Sequence, residues 1–225
     1  EQTYLVVPSE ALSWARAAGI ELPPAAYDDI LVPAPLPGVV ITQPQIFSFV
    51  HGQVPILGEA GGAGFASYRV QVGAGLNPQS WLLVGSESQT PVSGGPLAQW
   101  DTQALPDGLY AVRLVVVRQD QTLQSAVIQV SVDNTPPQAA LTYPTPQQRF
   151  SRADSRSINF LAQVSDSGGV ARVEWWLDGI KIGENQQTPY STPWAPIPGE
   201  HSLVVRAVDR AGNTVDSPAV VFRVE

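Results

Sequence analysis

The sequence predicts an all-β protein made of two tandem β-sandwiches, preceded by a short helical and proline-rich segment. Three observations predict this fold class. Runs of alternating apolar and polar residues recur at roughly ten-residue spacing, as strands of a sandwich do. The 225 residues include 21 prolines and 19 glycines without a fixed period, which suits many tight turns. The pattern of the first half also returns in the second half.

The first 38 residues differ from the rest of the chain. Ser9 is a candidate N-cap, an alanine-rich run follows it, and Gly19 is a candidate C′ residue. A helix of about ten residues is marginal alone, so we expect it to dock through Leu12 and Trp14. The stretch LVPAPLPG (31–38) then predicts an extended connector.

The first sandwich is expected over residues 39–134. The stretch FASYRVQVG (65–73) alternates as a strand does, and GLYAVRLVVVRQDQTLQSAVIQVSVDN (108–134) predicts two long strands joined by a polar turn. The stretch DNTPP (133–137) ends this sandwich. Its two prolines cannot continue a strand ladder, and they stiffen the connection.

The second sandwich is expected over residues 135–225, because the pattern repeats there. The stretch ITQP corresponds to LTYP, FASYRVQVG to VARVEWWLDG, and QWDTQALPDGLYAVRLVVV to PWAPIPGEHSLVVRAVD. Trp100 then corresponds to Trp194, and Gly108 to Gly199. Each repeat has about the length of one sandwich, so we predict one sandwich per repeat.

Three tryptophans are predicted to belong to the cores. In VEWWLDG (173–179), strand alternation places Trp175 on the inward face, and Trp176 then faces outward beside Glu174. Trp100 and Trp194 each precede a turn into a long strand, and we expect them to fill the space between the sheets.

Composition excludes several classes of function. Charged residues make up 14% of the chain and the net charge is −8, so no cationic surface for nucleic acid or anionic lipid is expected. The absence of cysteine excludes disulfides, thiolate metal sites and cysteine nucleophiles. No apolar run is long enough to cross a bilayer. The chain begins at Glu1 without a methionine, and we expect a fragment or a mature product.

The second repeat carries a recognisable set of motifs. They follow the order V-x-W-x-L-D-G, then P-Y-x-x-x-W, then G-x-H-x-L-x-x-x-A-x-D-x-A-G-N, and they begin at Val173, Pro189 and Gly199. These motifs resemble the bacterial immunoglobulin-like domain, which is found in tandem on cell-surface and secreted proteins. The resemblance implies immunoglobulin-like or fibronectin-III-like sandwiches. The first repeat is more divergent, with Tyr110 in the place of His201.

A second resemblance concerns the N-terminal stretch YLVVPSEALSWARAAGIELPPAAYD (4–28). It resembles the segment that follows the transpeptidase domain in some bifunctional class A penicillin-binding proteins. It implies the C-terminal extension of a peptidoglycan synthase, outside the cytoplasmic membrane. The catalytic motifs of that family are absent here: Lys181 is the only lysine, and Asp178 stands three residues before it.

We predict no catalytic residue, no cofactor and no metal centre. His51 and His201 are too few for a typical histidine-rich metal site, and no nucleophile elbow is present. Acidic residues such as Asp28 and Glu174 are interpreted as solvated charge rather than a glycosidase pair. The glycine-rich GEAGGAG (58–64) lacks the P-loop lysine.

One metal alternative stays open, namely a calcium ion that stiffens the junction between the sandwiches. Asp133 and Asn134 in the linker, with Asp166 or Asp209 from a loop, could supply oxygen ligands. No dense D-x-D cluster supports it. The stretch VDRAGN (208–213) is more simply a hairpin turn in which Asp209 accepts hydrogen bonds from nearby backbone amides.

The leading functional hypothesis is a non-catalytic spacer or interaction module that contacts cell-wall glycan or another cell-envelope protein. A carbohydrate-binding module is the alternative, with Trp176, Trp81 and Tyr190 as candidate stacking platforms. If these rings are exposed and aligned in one plane, a carbohydrate-binding module is favoured over a spacer or interaction module. An adhesin-like surface with a strand-addition edge is a further alternative, and an enzyme is the least favoured.

Overall fold

The structure is a computed structural model that describes residues 17–19, 36–152 and 156–225. The predicted N-terminal helix and most of the proline-rich connector lie outside the described residues. Gly19, which is described, has a φ of 67°, the left-handed value that a C′ glycine adopts.

Eight strands between residues 36 and 134 form the first sandwich. They are β1 (Val39–Gln43), β2 (Phe49–Val50), β3 (Gln53–Ala60), β4 (Phe65–Ala74), β5 (Leu82–Ser88), β6 (Val92–Asp101), β7 (Gly108–Arg118) and β8 (Leu123–Val132). One sheet has the order β1-β3-β6 and the other the order β2-β8-β7-β4-β5. The strands pair in the antiparallel sense except β2, which runs parallel to β8.

Nine strands in the described part of residues 135–225 form the second sandwich. They are β9 (Gln138–Tyr143), β10 (Arg149–Phe150), β11 (Ile158–Ser165), β12 (Val170–Leu177), β13 (Ile180–Asn185), β14 (Ser191–Trp194), β15 (Gly199–Asp209), β16 (Thr214–Asp216) and β17 (Val220–Val224). One sheet has the order β14-β11-β9, and the other the order β10-β17-β15-β12-β13 with β16 beside β15.

The two sandwiches share one topology. In each, the first strand belongs to the three-stranded sheet and ends just before a cis proline, Pro44 or Pro144. The next short strand, β2 or β10, then joins the other sheet in parallel with its last strand. The corresponding stretches ITQP and LTYP therefore mark the place where the chain passes from one sheet to the other.

Each sandwich has its own hydrophobic core. In the first, buried residues from both sheets surround Trp100, which packs edge-on against Tyr110 with ring centroids 5.8 Å apart. In the second, Phe160 lies between Trp175 and Trp194, whose ring centroids are 6.5 and 5.6 Å away. Trp175 is fully buried, whereas Trp194 is partly exposed at the edge of this core.

Candidate functional site

Trp176 lies on the outer face of β12 and is half-buried in a charged network. Its indole Nε1 donates to Glu174 Oε2 at 3.3 Å, and the guanidinium of Arg206 lies 5.3 Å from its ring centroid. Glu174 also accepts hydrogen bonds from Arg172 Nε at 2.9 Å and Lys181 Nζ at 3.1 Å. The outward position predicted from the sequence thus holds a tryptophan that packs among charged side chains.

The other two candidate platforms lie elsewhere. Trp81 is half-buried just before β5 in the first sandwich, and Arg113 covers one ring face with its guanidinium 3.9 Å from the centroid. Tyr190 is buried in the second core, so its ring offers no exposed face to a sugar. The three rings therefore do not form one aligned surface, and Trp81 and Trp176, which are both half-buried, each already have an arginine beside the ring.

An apolar cleft in the first sandwich was not anticipated from the sequence. It has a volume of about 630 Å³ and lies between the edge strands β5 and β6, where Trp100 and Tyr110 form part of its wall. Leu82 and Leu83 at its rim are both exposed. The apolar run WLLV (81–84) breaks strand alternation, and this was the available signal for an apolar surface on both faces of β5.

His201 has no role as a general base in this structure. Its Nδ1 lies 2.7 Å from Asp178 Oδ2, and its Nε2 lies 2.8 Å from the backbone carbonyl of Ile197. Both ring nitrogens are thus occupied by acceptors. The nucleophile of a Ser-His-Asp triad needs one of them for proton transfer, so no such triad is built around this histidine in the structure.

The junction between the sandwiches is held by contacts that cross it. Asn213 Nδ2 of the second sandwich donates to the Asp133 carbonyl at 2.7 Å. Gly168 packs against Phe49 of the first sandwich, because a Cβ at this glycine would lie 2.9 Å from the Phe49 ring. Gly212 is close to His51, whose Nε2 would lie 3.3 Å from an added Cβ.

Three aspartates converge at this junction. One carboxylate oxygen from each of Asp133, Asp166 and Asp209 lies within 4.8 Å of the other two. Asp166 Oδ1 accepts hydrogen bonds from the amides of Gly168 and Gly169, both at 2.8 Å. Among the described residues, none of the three aspartates forms a salt bridge.

Asp209 and Asp133 are the buried members of this cluster. Asp209 Oδ1 accepts from the amides of Gly212 and Asn213 at 2.7 and 2.8 Å, as the hairpin interpretation of VDRAGN predicted. Asp133 Oδ1 accepts from the Thr135 amide at 3.3 Å, and its Oδ2 has no partner among the described residues. Burial raises the pKa of the Asp133 carboxyl, and the neighbouring carboxylates of Asp166 and Asp209 raise it further.

Asn134 does not join the three aspartates. Its Nδ2 donates to the carbonyls of Thr102 and Leu105 at 2.8 and 3.3 Å, and its Oδ1 accepts from the Gly52 amide at 3.3 Å. These bonds turn the Asn134 side chain toward the first sandwich, so the expectation that it supplies an ion ligand is corrected. The linker is thereby fixed to the first sandwich at its start.

Comparison with known proteins agrees with this architecture. Residues 137–205 match the family model described as bacterial Ig domain. The fibronectin(III)-like modules of CbhA from Clostridium thermocellum align with a TM-score of 0.52 at 22% identity, over 82% of this chain and 92% of that chain. The protein contains tandem immunoglobulin-like domains.

The FN1–FN3 domains of chicken CNTN1 align with these tandem domains at 12% identity and a TM-score of 0.47, over 83% of this chain and 66% of that chain. A search of curated protein sequences finds no significant match. Domains of the matched bacterial type are typically extracellular and generally non-catalytic. Within the described residues, no helix combines the length and the apolar character that a membrane span needs.

Proposed function

We propose that this chain is a non-catalytic spacer and interaction module of an extracytoplasmic protein, in which two immunoglobulin-like domains act as one rigid unit. The observation that carries the proposal is the hydrogen bond from Asn213 Nδ2 to the Asp133 carbonyl, which joins the second domain to the end of the first. Asn213 and Asp133 are both buried, so water competes poorly for this bond. A stiff joint holds a distal surface at a fixed distance and direction from whatever precedes it.

The proposed parent is a peptidoglycan synthase of the class A penicillin-binding type, with this chain as its C-terminal extension. The resemblance of residues 4–28 supports it. The sequence upstream of Glu1 in the full-length protein tests it. Glycosyltransferase and transpeptidase motifs there would support the parent, and an unrelated upstream domain would overturn it without affecting the spacer role.

Cell-wall glycan or another envelope protein is the proposed partner. The net charge of −8 disfavours adsorption to anionic polymers, so a specific contact should be distinguishable from charge attraction. Co-sedimentation of the whole chain with purified peptidoglycan sacculi, at two salt concentrations, is the direct assay. Salt-independent retention supports a glycan contact. No retention directs the search to a protein partner.

The same preparation tests the absence of catalysis. We expect no turnover of peptidoglycan, of glycan oligomers or of a chromogenic penicillin substrate by the whole chain. Turnover that survives further purification would overturn the non-catalytic proposal.

A carbohydrate-binding module is the second candidate, and the apolar cleft beside β5 favours it. Leu82 and Leu83 are exposed at its rim, and Trp81 lies directly before them. Trp81→Ala is compared with Trp176→Ala, which removes a half-buried tryptophan from the other domain. Loss of sacculus retention with Trp81→Ala alone would support glycan binding at Trp81, at the start of β5. If both variants are retained as well as the native chain, neither tryptophan is a stacking platform for the glycan.

A further inference from the structure

The aspartate cluster at the domain junction has a charge arrangement that hydrogen bonding alone does not explain. Its members come from three separate segments: Asp133 follows β8, Asp166 lies in the loop between β11 and β12, and Asp209 ends β15. Three carboxylates with oxygens within 4.8 Å of one another repel, and in the described residues no lysine, arginine or histidine forms an ion pair with any of them.

Asp133 supplies an independent indication of a missing ligand. The residue is only 4% exposed, and the buried Oδ2 has no hydrogen-bond donor among the described residues. A buried carboxylate oxygen normally has a donor or a cation, because leaving it without one is costly. The backbone at Gly168 packs against this oxygen, since a Cβ there would lie 2.4 Å from it. The Asp133 side chain therefore points at the loop that carries Asp166.

The remaining hydrogen bonds leave oxygens available for an ion. Asp166 uses Oδ1 for two backbone amides and Asp209 uses Oδ1 in the same way, so these amides leave the second oxygen of each carboxylate unused. Asp209 Oδ2 accepts one bond, from Asn213 Nδ2 at 2.8 Å. A cleft of about 170 Å³ is bordered by Asp133 and Gly168.

We infer that Asp133, Asp166 and Asp209 form a binding site for one Ca²⁺ ion, which ties the end of the first domain to two loops of the second. Calcium takes six to eight oxygen ligands in irregular geometry, so three carboxylates and several waters suffice. Magnesium needs a near-ideal octahedron and is expected to bind less tightly to this cluster. Zinc prefers nitrogen and sulfur ligands, and the cluster has neither.

Calcium titration of the whole chain tests the inference. The protein is first treated with a chelator and exchanged into calcium-free buffer, and ionic strength is held constant with NaCl so that screening does not change. Isothermal titration calorimetry is expected to show saturable binding of one Ca²⁺ per chain. Thermal unfolding is expected to shift upward with calcium, because an ion that binds only the folded state stabilises it.

Two variants and a matched control distinguish a built site from general charge effects. Asp133→Asn and Asp166→Asn are expected to weaken calcium binding roughly tenfold or more, since the affinity of such sites follows ligand charge. Without calcium, both variants should unfold at or above the temperature of the native chain, because each removes a repelling charge. Glu200→Gln makes the same charge change at an exposed position on β15 and should leave binding intact.

Several outcomes would overturn the inference. One is the absence of any saturable heat or unfolding shift in the native chain at millimolar calcium. Another is an equal affinity for Mg²⁺, which would contradict the calcium assignment. Retained binding in both aspartate variants would place the ion elsewhere. Sacculus retention and catalytic inactivity are measured without reference to the ion. The proposed spacer function can therefore fail or hold whether or not the chain binds calcium.

Discussion

Tyr110 and His201 close the same corner of their two domains with different chemistry. Tyr110 Oη donates to the carbonyl of Pro106 at 3.0 Å, and His201 Nε2 lies 2.8 Å from the carbonyl of Ile197. Each ring reaches back four residues from the start of a long strand to the preceding turn. The arrangement in the first domain is that of the tyrosine corner known from immunoglobulin folds. The divergence of the first repeat at this position therefore preserves the hydrogen bond that closes the corner.

The corner predicts the effect of removing one hydroxyl. Tyr110→Phe is expected to destabilise the first domain by about 1 kcal/mol, because it leaves the Pro106 carbonyl without this donor. Hydrogen exchange by mass spectrometry locates the change, which should be confined to the first domain. Tyr143→Phe is the control, since that partly exposed hydroxyl only accepts a bond from Gln148. A loss of stability as large for Tyr143→Phe would contradict the claim that the hydrogen bond of Tyr110 to Pro106 stabilises the first domain.

The adjacent tryptophans of β12 give a second prediction. Trp175 is fully buried and its Nε1 donates to Asn185 at 2.7 Å, whereas Trp176 is half-buried on the outer face. Trp175→Ala is expected to destabilise the second domain by roughly 3–5 kcal/mol, as large core truncations do. Trp176→Ala should cost much less. Denaturant unfolding measures the loss of unfolding free energy in both variants. Equal losses would mean that the assignment of Trp175 to the inner face and Trp176 to the outer face of β12 is wrong.

Glu174 predicts a pH dependence in the second domain. The hydrogen bond from Arg172 lowers the pKa of Glu174, with Lys181 and Trp176 acting in the same sense against the opposing effect of burial. A carboxyl whose pKa is lower in the folded state stabilises the fold at neutral pH. That stabilisation is lost as the pH falls from the unfolded pKa toward the lower folded value.

Denaturant midpoints measured from pH 7 to about pH 3 check this prediction, since Glu titrates near 4.3 when unperturbed. Glu174→Gln should be less stable than the native chain at neutral pH, and the difference should shrink in acid. Glu200→Gln is the control, because Glu200 is exposed and forms no salt bridge among the described residues. A difference for Glu174→Gln that stays constant with pH would contradict a lowered pKa of Glu174 in the folded state.

Gly168 predicts a steric effect at the junction. A Cβ there would lie 2.4 Å from Asp133 Oδ2 and 2.9 Å from the Phe49 ring, so Gly168→Ala must displace one of them. We expect a destabilisation of roughly 1–3 kcal/mol, as overpacking typically gives. Gly61→Ala is the matched control, because its Cβ would meet Pro91 at an ordinary 3.6 Å. Calorimetry should show a lower unfolding temperature for Gly168→Ala than for Gly61→Ala. A Gly168→Ala variant as stable as the native chain would contradict the close contact of Gly168 with Asp133 and Phe49.

Local patterns predicted much of the fold and little of the candidate site. Strand alternation placed Trp175 and Trp176 on opposite faces of β12, and the repeat aligned Gly108 with Gly199, which both have positive φ near 140°. These features depend on neighbouring residues. Tyr190, a candidate stacking platform, is buried in the second core, and no local pattern indicates this.

The junction depends on contacts between distant segments. The cluster forms only because β8, β11 and β15 end near one another, which brings together Asp133, Asp166 and Asp209. No short acidic motif in the sequence indicates this convergence. The arginine that covers Trp81 likewise comes from β7, far along the chain. Sequence spacing supplied the candidates for the junction, and tertiary structure separated Asn134 from the three aspartates.

The central claim, that the two domains act as one rigid unit, is tested most directly by a distance measurement across the junction. The chain has no cysteine, so Ser86→Cys and Gln187→Cys, both at exposed positions and one in each domain, give two unique spin-label sites. Pulsed electron paramagnetic resonance of the doubly labelled chain should give a single narrow distance distribution. A broad distribution, of the kind that a flexible linker produces, would contradict the rigid-unit claim.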